Sequence, residues 1–164
     1  MQDKRLFLGW ALFMCLVAIT AFIGVNLGWA GYVAKDPTHI TLATLFVFTI
    51  ATAWCGRLSW KLSSGHDPAE IEEDLAHGWF ASSLCVSIGL AGTAVGYYLM
   101  LKHGDAVGDP SEVIRQAFAH TSIAIINTIL GAVCGLIVEI QSHFIGHAVK
   151  KALRRAGKPA GRDG

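Results

Sequence analysis

The sequence predicts an all-α integral membrane protein of four transmembrane helices, with both termini cytoplasmic and the last helix extending into the cytoplasm. Three observations lead there. Just over half of the 164 residues are hydrophobic (53%), and the charges fall in short clusters instead of being spread along the chain. Four segments, residues 6–33, 40–58, 78–101 and 114–149, each meet the length of about 20 mostly apolar residues that a bilayer-spanning helix needs. Finally, Lys and Arg are divided unequally between the two ends of those segments. Lys4, Arg5, Arg57, Lys61, Lys150, Lys151, Arg154, Arg155, Lys158 and Arg162 share one side, and only Lys35, Lys102 and Arg115 fall on the other. Short basic loops stay in the cytoplasm, so the first group marks the inner side.

The first span follows Lys4 and Arg5 but is far longer than the apolar region of a secretory signal, about 7–15 residues, so it is expected to remain as a helix. Each connection carries Asp-Pro, at Asp36-Pro37, Asp67-Pro68 and Asp109-Pro110. Asp suits the N-cap and Pro the first helical position, whose N–H lacks an intrahelical acceptor. Glu70 and Glu112 stand where the carboxylate of a capping box would be. The chain divides into an N-terminal helix pair (1–62), a short acidic cytoplasmic loop or helix (63–77), a second helix pair (78–149) and a basic cytoplasmic tail (150–164). The acidic segment, with Glu70, Glu72, Glu73 and Asp74, reads as a solvated face. The tail suits anionic headgroups, not nucleic acid. Cys15, Cys55, Cys85 and Cys134 occur singly, one per span, and are expected to act as small apolar side chains, with no disulfide or metal framework.

The second pair carries the chemistry. In IGLAGTAVGYYLML, Gly89, Gly92 and Gly96 recur at helical spacing with Thr93 beside them, and Ser82 and Cys85 extend the same face. The last span repeats the pattern through Ala117, Thr121, Ala124, Thr128, Gly131, Gly135 and Glu139. Lipid gives apolar side chains no reason to leave it, so membrane helices associate through small residues and interhelical hydrogen bonds. Such stripes either seat another helix or line a wet path. Gly89, Gly92, Gly96, Ala124, Gly131 and Gly135 are the expected packing residues. Glu139 is a candidate for a proton relay. Glu139, His143 and His147 lie one turn apart and read as interfacial polar groups, not as metal ligands.

The segment IGLAGTAVGYYLML, followed by AHTSIAIINTILGAVCGLIVEIQ, resembles the paired C-terminal membrane helices of the MotA/TolQ/ExbB proton-channel family, over about residues 82–141. The resemblance implies a homopentamer in the bacterial inner membrane, a stator whose central pore holds a dimer of a single-span MotB/TolR/ExbD-like partner. The partner's Asp would bind the ion, with the proton expected ahead of sodium, and Thr93 and Thr128 would be the pore-facing hydroxyls. No catalytic activity and no cofactor are expected. Two departures stand out. Ile123 occupies a position where TolQ/ExbB-type proteins often carry Glu, and the large cytoplasmic domain of MotA is reduced to a short loop. The alternative is a non-conducting oligomeric scaffold or a small hole-forming membrane protein.

Overall fold

The computed structural model describes residues 3–26, 28, 31, 39–104, 110–155 and 157. They form four helices: α1 (Asp3–Asn26), α2 (Ile40–Ser63), α3 (Pro68–Gly104) and α4 (Pro110–Arg155), and there is no strand among the described residues. All four are long and apolar enough, by length and composition, to cross a membrane, as a multi-pass membrane protein requires. At about 1.5 Å per residue, the 46 residues of α4 reach roughly 70 Å and the 37 of α3 about 55 Å, well beyond a 30 Å hydrocarbon core.

The sequence divisions shift in three places. The acidic segment does not form a separate helix, because α3 runs unbroken from Pro68 and takes Glu70, Glu72, Glu73 and Asp74 into its first turns. Likewise, the basic residues Lys150, Lys151, Arg154 and Arg155 are the end of α4 and not a tail. The cap of α2 is His39, in a left-handed conformation (φ 55°), instead of Asp36. Asp36, Pro37 and Asp109 lie outside the described residues. At α3 the expected device is present: Asp67 Oδ1 accepts from the Ala69 N–H at 3.2 Å. Glu70 points elsewhere and lies 3.7 Å from Lys61 Nζ, which also meets Asp74 at 3.3 Å.

α3 and α4 form the most extensive contact, and α2 lies across both. Near the 63–68 turn, Cys55 and Leu58 of α2, Ile71 and Leu75 of α3, and Ile145, Val149 and Leu153 of α4 close into one buried apolar cluster. α1 is peripheral: no residue of its apolar stretch is fully buried, and Leu8, Leu12, Leu16, Ile19 and Phe22 are exposed. It is held near its start. The Trp10 ring fills the notch at Gly56, where a Cβ would come within 2.6 Å of it. Phe7 meets the edge of Trp60 at 5.1 Å, and Trp10 Nε1 donates to Gln141 Oε1 at 3.3 Å. The start of α1 and the end of α4 therefore share one end of the bundle.

Candidate functional site

The two small-residue stripes face each other along the α3–α4 seam. Gly89 and Gly131 cross backbone to backbone: a Cβ on Gly131 would stand 2.7 Å from the Gly89 Cα, and one on Gly89 would stand 2.9 Å from the Gly131 Cα. Above them Gly96 meets Ala124, and below them Gly135 meets Val86 and the Ser82 carbonyl. Ser82 Oγ donates to Gly135 O at 2.9 Å. All six packing residues expected from the sequence are buried in this seam. Both stripes are thus used up within a single chain. The partner stripe is one hairpin away, so the glycine faces cover each other without a neighbouring subunit.

Thr93 and Thr128 come together at the edge of this seam. Their hydroxyls are hydrogen-bonded to each other. Thr128 Oγ1 donates to Ala124 O at 3.1 Å, and Thr93 Oγ1 lies 3.1 Å from Gly89 O and 3.2 Å from Ala124 O. Two hydroxyls have two protons and four lone pairs. Once both protons are given to oxygens within the cluster, the pair retains acceptor capacity for a donor arriving from outside. Neither threonine is sealed. Both are half-buried, and one turn away on the same side stand exposed Leu90, Tyr97, Ile125 and Ala132. The hydroxyl pair marks the line where the buried seam gives way to an exposed apolar face.

Glu139 is not part of this group. From Gly135 the buried face of α4 continues through Val138 and Ser142, which leaves Glu139 exposed a step around the helix, some 16 Å along it from Thr128. His143 and His147 are exposed on the same side. Among the described residues, no group of three His, Cys, Asp or Glu side chains converges as metal ligands would.

The sequence reading passed over Asn127, which the structure puts at the junction of α2, α3 and α4. Its side chain is buried, its Oδ1 accepts from Thr41 Oγ1 at 2.7 Å, and its Nδ2 has no hydrogen-bond partner. It lies against Gly92, where a Cβ would come within 2.9 Å of it and of Ile40. The signal was available: a carboxamide inside a long apolar run is expensive in lipid and so points to the protein interior. α2 carries a further polar stripe, Thr41, Thr44, Thr52 and Ser59, all buried. The hydroxyls of Thr52 and Ser59 have no partner.

In comparisons with known proteins, no family model, no curated protein and no solved structure matches the chain.

Proposed function

We propose that this protein is the pore-forming subunit of an ion-driven complex in the bacterial cytoplasmic membrane. Both termini are cytoplasmic, and five copies surround a pair of single-span partner helices that supply the ion-binding Asp. The observation that carries the reading is the Thr93–Thr128 hydroxyl pair, half-buried beside an exposed apolar face. Its support comes from three further sources. The motif order resembles that of the MotA/TolQ/ExbB family. The start of α1 and the end of α4 share one end of the bundle, as cytoplasmic termini require. Among the described residues the seam contains hydroxyls and a carboxamide but no acid, which suits an ion carrier supplied from elsewhere. In this reading the exposed face of Leu90, Tyr97, Ile125 and Ala132 packs against the partner helix, and water reaching its Asp is steadied by the threonine pair. A proton is the expected ion, since hydroxyls and water are sufficient to relay it.

A second reading, the non-conducting oligomeric scaffold, is favoured by the closure of both stripes within one chain. Proton flux into proteoliposomes containing the protein and its co-purified single-span partner, followed with an internal pH-sensitive dye, separates the two. Thr93→Val and Thr128→Val keep the side-chain shape and remove the hydroxyl. A membrane hydrogen bond is worth only about 0.6 kcal/mol on average, so assembly survives. The ion-path reading expects flux to fall at least tenfold in either variant. Wild-type flux in both, or no Asp-bearing partner at all, would favour the scaffold.

A further inference from the structure

Between α2 and α3, away from the threonine pair, runs a cleft of about 340 Å³ whose exposed lining is apolar. Val47, Ile50 and Trp54 line it from α2, and His77, Ala81 and Leu84 from α3. It extends along about 10 Å of α2 and ends toward the 63–68 turn at a mouth built of fixed groups. Trp54 Nε1 donates to the Asp74 carbonyl at 3.4 Å, which ties the indole across to α3, and the His77 ring lies 6.0 Å from it. Just past the indole, the Arg57 guanidinium sits 5.9 Å from the ring centroid. Lys61, one turn further, is engaged by Glu70 and Asp74. Arg57 is exposed, and among the described residues no carboxylate comes within ion-pairing distance of it.

We propose that this cleft is a binding site for a glycerophospholipid, with one acyl chain between α2 and α3 and the phosphodiester on Arg57. The order of polarity decides the occupant. A narrow apolar slot closes on an amphipathic Trp, a residue that favours the membrane–water boundary, and then on a guanidinium, whose planar fork matches a phosphate. A phospholipid has the same order from chain to headgroup. A second copy of this protein would have to bring both an apolar wedge and an anion in that spacing. The site depends on the helices spanning a bilayer and not on the ion-driven reading, so it stands or falls separately from the flux experiment.

The test is quenching of Trp54 fluorescence by bromine on acyl chains, in a variant with Trp10, Trp29, Trp60 and Trp79 replaced by Phe. The probes are a dibrominated phosphatidylcholine and the dibrominated diacylglycerol with the same chains but no phosphate, each titrated into detergent micelles. Half-quenching is expected at about fivefold lower mole fraction of the phospholipid, the scale of a good exposed ion pair. Arg57→Gln is expected to erase that difference, and Ala81→Phe, which fills the slot, to weaken quenching by both. Equal potency of the two probes on the unsubstituted Arg57 background would overturn the proposal. So would quenching by neither, which would show the cleft closed by protein. Should Ala81→Phe fail to fold, the two-probe comparison with Arg57→Gln still decides.

Discussion

Thr41 and Asn127 form a buried side-chain bond that ties α2 to α4 at the level of the threonine pair. Its worth is set by the membrane, where an unfolded helix also finds partners for its polar groups. We expect a coupling energy of about 0.6 kcal/mol between Thr41→Val and Asn127→Ala in a double-mutant cycle, read from SDS-induced unfolding. A value near zero would show that the bond is replaced by others in the single variants. At this scale the sequence was only partly legible. The six packing residues could be assigned to one face from spacing alone, because a small residue in a membrane helix has few uses other than close approach. Asn127 escaped because it lies next to Thr128 and one step off the glycine stripe, so a reading by stripe hides it. Glu139 lies off the buried face because the step of four from Gly135 breaks the alternation of three and four residues, which continues instead through the buried Val138, Ser142, Ile145 and Val149.

Between helices, steric contrast gives the sharpest test. At Gly131 a methyl group would meet the Gly89 backbone, which cannot rotate away, so Gly131→Ala must separate α3 from α4. Overpacking of this kind costs about 1–3 kcal/mol. At Gly9, on α1, a Cβ meets nothing within 4 Å, and Gly9→Ala is expected to be neutral or to stabilise by up to about 1 kcal/mol through helix propensity. Both are measured by SDS-induced unfolding. Comparable destabilisation in the two would mean that the seam is not where the structure puts it. At the start of α3, Asp67→Ala removes the cap acceptor and is expected to cost about 1 kcal/mol, while Glu70→Ala, which loses only an exposed ion pair, changes stability by less than about 0.5 kcal/mol. Helix number and approximate spans were readable from hydropathy. The continuity of α3 through the acidic run was not, because charge marks exposure to water and is silent on whether the backbone breaks.

For the whole molecule, the distribution of Lys and Arg predicts that a single Cys placed at Gly104 reacts with an impermeant maleimide added outside intact cells, and that one at Gly161 does not. The opposite pattern would invert the topology and with it the proposed ion path. Native mass spectrometry of the purified protein checks the pentamer, which rests on family resemblance and on the exposed face beside Thr93 and Thr128. A monomer as the only species would leave that face to lipid. Fold class was legible here because the bilayer imposes so few architectures: backbone polar groups must be satisfied inside each span, and a run of about 20 apolar residues can do that only as a helix. Which helix is central and which peripheral was not legible, since α1 and α4 are similarly apolar along the sequence and yet one is peripheral and the other central.

The bonds of the threonines and of Asn127 differ in a way that bears on the order of synthesis. Thr93 and Thr128 can each bond back to a carbonyl of their own helix four residues earlier, so α3 and α4 could each enter lipid with their hydroxyls already provided for. Asn127 accepts instead from Thr41 on α2, and α2 leaves the ribosome some eighty residues earlier. The buried carboxamide of the last helix thus arrives to find its donor already in the membrane. A circular permutant that made α4 before α2, with the same contacts in its final fold, is expected to insert α4 less efficiently, and replacing Asn127 with Leu should remove that handicap.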